Sequence, residues 1–239
     1  MSAFLYGLLL RIRLDLRNKS ILLTYYVIPL LFFAFMGAIF SSVTPDSKGT
    51  LIQSLTIFGV TMGAFLGAPL PLVELYGSEI KKAYKVGGIP LFIPSVNNFL
   101  SALFHLSILG VVIYFVAPIA FDAKEPSNIL NYFISLEVFI IVSLLIGTVL
   151  GLLVKSQSKL TMFAQIIFLP SLMLSGIMFP ANMLPNVIEN AGTIFPATMG
   201  FKIMTSGRFV FMEYLPLILV SIVAFIVCII ALSKIAKRN

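Results

Sequence analysis

Charge is scarce in this 239-residue chain. Only 10% of its residues are Asp, Glu, Lys or Arg, against about 25% in a typical soluble domain. Hydrophobic residues make up 59%, and the mean hydropathy is +1.08. A water-soluble globule of this size cannot hide so much apolar surface, so a soluble enzyme is excluded. The single cysteine, Cys228, excludes a disulfide framework and a multi-cysteine metal site. The single histidine, His105, excludes the paired histidines of an intramembrane H-E-x-x-H metalloprotease. Ser175-Gly176 lacks the preceding Gly of a rhomboid-like G-x-S-G motif. Tryptophan is absent, which is uninformative because Tyr and Phe can supply an interfacial belt. The net charge of +7 is not a nucleic-acid signal, because the basic residues sit in short clusters between apolar runs.

Those runs are unbroken, whereas barrel strands alternate apolar and polar residues. The fold class is therefore an all-α integral membrane protein. At about 20 residues per crossing the chain has room for about six spans. We place them at 21–40, 51–73, 96–120, 131–154, 159–178 and 212–233, with Pro29 inside the first and Pro170 inside the fifth. Ahead of them, residues 2–19 carry Phe4, Leu8, Ile12 and Leu16 at every fourth position and Arg13 and Arg17 on another face. This pattern predicts an amphipathic helix lying on the membrane surface. A cleaved signal peptide would put its charges before the apolar stretch, and here they follow it.

Twelve of the 16 lysines and arginines fall on the side of the N-terminus and four (Lys48, Lys124, Lys202 and Arg208) on the other. By the positive-inside rule both termini are cytoplasmic and the chain is a multi-pass protein of the cell membrane. Two connections are long, a cytoplasmic one at 74–95 and an external one from Phe179 to Glu213 with a hairpin over 179–211. The first holds SEIKKAYKV between breakers. Ser78 is a reasonable N-cap, Glu79 falls in the first turn and Lys85 in the last, as a helix dipole favours. It is either a rigid element on which a cytoplasmic partner pushes or an ordinary amphipathic turn on headgroups. The second is too apolar for a solvated loop and is cut by Pro180, Pro185 and Pro196. It reads as a broken helical hairpin re-entering the outer leaflet, or as a cap lying on the surface.

These features together resemble the membrane subunit of a type-2 ABC exporter, the compact six-span permease family. The resemblance rests on the amphipathic start, on the Glu74–Lys82 stretch leading to Pro90, and on Ser175-Gly176, Phe179-Pro180, Leu184-Pro185 and Pro196 before the last span. Ile89-Pro90 stands where family members usually carry a Thr-Pro or similar pair, and it follows an unusual Gly87-Gly88. The resemblance implies a pair of membrane subunits, here identical, with two cytoplasmic ATPase subunits that bind ATP and Mg. It implies that Glu74, Gly77, Ser78, Glu79, Lys81, Lys82, Tyr84, Lys85 and Pro90 form the coupling site for that ATPase. Ser175, Gly176, Pro180, Pro185 and Pro196 would form the external gate. The chain itself needs no cofactor and is not an enzyme on this reading. Its nearest approach to a phosphate-binding loop, Gly151 to Ser156, lacks the Gly before Lys155.

Gly59, Gly63 and Gly67 form a small-residue stripe in the second span, and Ser143, Gly147 and Gly151 form another in the fourth. Both are expected to pack helices within one subunit, with a dimer interface as the alternative. Two intramembrane ionisable residues mark a possible cargo path. Glu137 can meet a cationic cargo, pair with Lys202 or Arg208, or reach interfacial water. His105 is expected to bond a neighbouring helix, because no acid is visible at its depth. Met173, Met178, Met183, Met199 and Met204 gather around the hairpin, as a soft surface for amphipathic cargo or as filler. The expected function is ATP-driven export of a drug or antimicrobial peptide. A lipid or polysaccharide exporter on the same scaffold and an ion-coupled secondary transporter are the alternatives.

Overall fold

The computed structural model describes residues 3–43, 48–178 and 185–237. Ten helices and no strand occur among the described residues. They are α1 (Ala3–Arg17), α2 (Lys19–Ser42), α3 (Leu51–Gly77), α4 (Ile80–Val86), α5 (Phe92–Phe121), α6 (Ile129–Leu153), α7 (Gln157–Met173), α8 (Asn186–Gly192), α9 (Pro196–Thr205) and α10 (Phe211–Lys237). Five of them, α2, α3, α5, α6 and α10, are long and apolar enough to cross a membrane. The segment read as a fifth crossing, 159–178, forms the 17-residue α7. At 1.5 Å per residue it spans about 25 Å, short of the roughly 30 Å hydrocarbon core. It stops because Gly176 takes φ +83° and the Ser175 hydroxyl turns back to donate to the Leu172 carbonyl (2.8 Å).

The chain turns sharply at Asn18 between α1 and α2, where its side-chain oxygen accepts from the Ser20 and Ile21 amides at 3.0 and 3.3 Å, an N-cap. Asn128 caps α6 in the same way through the Asn131 amide at 3.0 Å. Two π-turns, Leu23–Val27 in α2 and Gly63–Gly67 in α3, lie just before Pro29 and Pro69. A proline ring collides with the carbonyl four residues back, and widening the turn to an i−5 bond relieves it. Accordingly Ala68 N–H bonds Gly63 O at 2.9 Å. The two widened turns face each other, with Tyr25 over Gly63 and Gly67.

α3 is the central helix. Its most apolar stretch is 89% buried, against 22% for α10 and 28% for α2, whose outer faces are left to lipid. Small residues let the neighbours close on it. A Cβ on Gly147 of α6 would lie 2.0 Å from the Ala64 carbonyl oxygen of α3, and one on Gly151 would lie 2.9 Å from Leu72 Cβ. The glycine stripes of both helices therefore serve packing inside one subunit. Buried polar groups on these helices pair across the bundle, as in Thr56 Oγ1 with the Tyr132 hydroxyl at 2.9 Å.

α1 departs from its expected orientation. Leu8 and Ile12 are half-buried, but Phe4 and Leu16 are exposed, while Asp15 is 1% exposed. Asp15 receives Arg11 Nη2 at 2.6 Å and Nε at 3.2 Å, and the Ser101 hydroxyl of α5 donates to it at 2.6 Å. The helix thus docks on α5 through a polar face as well as through its apolar line. Arg13 and Arg17 remain exposed.

Candidate functional site

The segment between α3 and α5 is built from its caps. The Ser78 hydroxyl oxygen accepts the Ile80 amide at 3.3 Å, so the helix starts at Ile80, and Glu79 precedes its first turn instead of lying in it. The Glu79 carboxylate meets Lys82 Nζ at 2.5 Å. The hydrogen bond from Lys82 and its charge hold the Glu79 carboxyl below the usual carboxylate range. At the other end Gly88 sits at φ +66°. Ile89 N–H bonds Tyr84 O at 2.9 Å and Gly88 N–H bonds Lys85 O at 3.1 Å. This is a Schellman end, which needs a left-handed residue at its corner. The unusual Gly87-Gly88 therefore terminates α4, and Pro90 follows where a helix cannot continue.

No residue of α4 is buried. Val86 is 90% exposed, and Ile80 and Ile89 are also exposed apolar groups. The base of the segment, in contrast, is clamped. The buried Tyr76 hydroxyl donates to the Leu91 carbonyl and meets the Ser95 hydroxyl at 2.5 Å, tying the end of α3 to the start of α5. Glu74 accepts from Gln157 Nε2 at 2.7 Å, which ties the same base to α7. Gly77 lies against the Lys155 carbonyl, and Lys81 faces Lys155 and Ile235 across a small cleft. Leu72, Tyr76, Leu91, Leu152, Cys228 and Ala231 pack into one cluster beneath it, joining α3, α5, α6 and α10. Tyr84 of α4 packs against this cluster. Tyr76, Ser95 and Gln157 escape a sequence reading, since their partners are 15 to 83 residues away.

At the opposite end, where Lys48 pairs with Asp122 at 3.0 Å and the Lys124 amide bonds Lys48 O, the broken segment packs onto the bundle. Pro185 precedes α8, and Pro196 opens α9 at its first turn, where a missing N–H costs nothing. Pro180 lies outside the described residues. Gly192 returns against the Leu174 carbonyl near Ser175 and Gly176. α9 is fixed by a buried network: Ser135 Oγ to the Tyr214 hydroxyl at 2.7 Å, Tyr214 to Asn131 Oδ1 at 2.9 Å, and Asn131 Nδ2 to Ile203 O at 3.3 Å.

The two candidate cargo-path residues are not brought together. His105 is 1% exposed on the seam between α2 and α5, with Nδ1 2.7 Å from the Tyr26 hydroxyl and the Tyr25 ring 5.6 Å away. An acid does come near its depth after all. Asp15 from α1 bonds Ser101, one helical turn from His105. The signal available in the sequence was Arg11 and Asp15 at i,i+4. Glu137 is half-buried on the outward face of α6 beside Ile134 and Ile141, and among the described residues it has no ion pair with Lys202 or Arg208. No group of three or more His, Cys, Asp or Glu residues suited to a metal occurs among the described residues.

No curated protein and no solved structure matches the chain. The family model described as ABC-2 type transporter matches residues 8–209. That stretch takes in α1 from Leu8 onward, the clamped segment and the broken segment before α10, and the chain belongs to the ABC-2 type transporter family.

Proposed function

We propose that the chain is the membrane-spanning permease of an ATP-driven exporter, working as a pair of identical subunits with two cytoplasmic ATP-binding subunits. Family membership supports a membrane part of an ABC transporter, with ATP bound and hydrolysed by a partner chain. In this reading α7, extended by the turns at 174–178, completes a sixth crossing, and the α8–α9 segment is the re-entrant gate. Both termini are cytoplasmic. The cargo is a hydrophobic or amphipathic molecule, a drug or antimicrobial peptide, because the small chain and two short external connections, near 41–50 and 121–130, argue against a large folded substrate.

One observation carries the reading. α4 buries none of its residues, is half-covered only at Lys81 and Tyr84, is ended by Ser78 and Gly88, and leaves an α3 end that Tyr76 and Glu74 tie to the start of α5 and to α7. A helix that holds no core of its own yet is locked to three others transmits displacement. The test is charge reversal at Lys81, Lys82 and Lys85, with the chain co-expressed with its ATPase in inverted vesicles. Membrane insertion should stay normal and ATP hydrolysis should continue while ATP-dependent cargo uptake is lost. Normal uptake would remove the coupling role.

A further inference from the structure

The backbone ladder of α3 is interrupted above its last two turns. Pro69 and Pro71 have no N–H, so the Phe65 and Gly67 carbonyls receive no bond from the residue four places on. Ala68 N–H reaches five residues back to Gly63 O at 2.9 Å, and Leu72 N–H reaches only three back, to Pro69 O at 3.1 Å. The Ala68 carbonyl, passed over by Leu72, is met from outside the helix. Asn98 of α5, buried at 3% exposure, donates to it through Nδ2 at 2.9 Å. Below the break lies the eight-residue foot Leu70–Gly77, which leads into α4. The lower end of this foot is also held to α5, through Tyr76 and Ser95. α6 meets both sides of the break with glycine. Gly147 lies against the Ala64 carbonyl above it, and Gly151 lies against Pro69 O and Leu72 Cβ below. Neither glycine has a side chain to key the foot to the upper part of α3. The other widened turn, Leu23–Val27 of α2, stands opposite, with the Tyr25 ring against Gly67.

We infer that residues 63–71 form a pivot on which the foot of α3 tilts together with α4, and that Asn98 is the upper catch holding it at rest. A helix bends where its ladder is missing, and widened turns and prolines are the usual places. Above the pivot every residue from Leu51 to Met62 is buried, so that part stays in the core. Below it, a tilt gives up the side-chain bonds of Asn98 and Tyr76 and no run of backbone bonds. Asn98 supplies the donor that the interrupted ladder lacks, and it supplies it from α5, so the bend of α3 is set by its neighbour. The inference rests on the coupling reading only for what pushes α4. The pivot is a property of this chain alone.

The test uses the full chain in lipid nanodiscs without its ATPase. Asn98→Leu removes the catch together with an Oδ1 that has no partner, so the melting temperature should hardly move. Hydrogen exchange at 70–76 should rise roughly fivefold, the worth of one hydrogen bond, while 51–62 keeps its protection. Pro69→Ala gives the Phe65 carbonyl a donor and should slow exchange at 70–76 in the otherwise unmodified chain, a readout that does not need the Asn98 variant to fold. The tilt itself is read by electron-spin distance measurements in a Cys228→Ser background, with labels at the exposed Ala83 of α4 and Leu130 of α6. Releasing both catches, Asn98→Leu with Tyr76→Phe, should broaden that distance distribution, and adding Pro69→Ala should narrow it again. A second pair, Phe104 of α5 with Leu130, should stay unchanged. An unmoved Ala83–Leu130 distribution, equal broadening of both pairs, no slowing in Pro69→Ala, or exchange that rises equally at 51–62 would overturn the pivot. Export is not measured, so the pivot and the exporter reading fail separately.

Discussion

Replacing Tyr76 by Phe removes one hydroxyl and keeps the buried ring. That hydroxyl bridges the Leu91 carbonyl and the Ser95 side chain, and it is the direct bond between the end of α3 and the start of α5 at the base of α4. Each of the two hydrogen bonds is worth about 1 kcal/mol net, so the clamp loses about 2 kcal/mol. That corresponds to roughly a 30-fold rise in the fraction of molecules with the clamp open. The ring still packs against Leu72 and Leu152, so the bundle itself should be unaffected. Hydrogen exchange of the chain in lipid nanodiscs reads this directly. Amides in 78–92 should exchange roughly 30-fold faster while those of α6 keep their protection. Unchanged exchange over 78–92 would refute the clamp. An equal rise in α6 would refute the claim that the clamp is local.

Other perturbations separate the remaining claims. Gly147→Val drives a side chain into the Ala64 carbonyl and should lower the detergent melting temperature by the equivalent of 1–3 kcal/mol or more, whereas Gly49→Ala, with nothing within 4 Å, should leave it unchanged. Asp15→Asn leaves Arg11 without its counter-charge and with one acceptor in place of two, and should cost about 2–4 kcal/mol in thermal unfolding, with Arg11 one-fifth exposed moderating the loss. The triple change Arg11→Met, Asp15→Leu and Ser101→Ala, which removes the pair together with the Ser101 hydroxyl that donates to Asp15, should recover most of it, and failure to do so would refute the assignment of the loss to unpaired buried polar groups. Glu137→Gln should reduce export of cationic cargo more than neutral cargo, measured side by side in vesicles. An equal effect would mark Glu137 as a packing residue.

The hydrophobic pattern alone dictated a helical membrane protein and located five crossings to within a few residues, because a bilayer punishes any other backbone arrangement and sets the length of each run. Local chemistry was also legible. Ser78 sits at the start of α4, Gly87-Gly88 at its end and Pro196 at the first turn of α9, since capping depends on neighbours in sequence. The glycine stripes were readable as close contacts inside one subunit, although which backbone each would meet was not. α7 is shorter than its apolar run, because Ser175 and Gly176 end the helix before the hydrophobicity ends.

What only the tertiary structure decided is which polar side chains turn inward. Composition marks Arg11 and Asp15 as surface charges, yet α1 lies so close to α5 that Asp15 is buried against Ser101. Tyr76 was one aromatic among 30 Tyr and Phe residues until the chain folded back to bring Leu91 and Ser95 to its hydroxyl. Asn97 and Asn98 are buried near the start of α5, where Asn98 Nδ2 donates to the Ala68 carbonyl of α3 at 2.9 Å. Periodicity reports which face of a helix is apolar. It carries no information about hydrogen bonds between helices, because those depend on distances that exist only once the bundle has assembled.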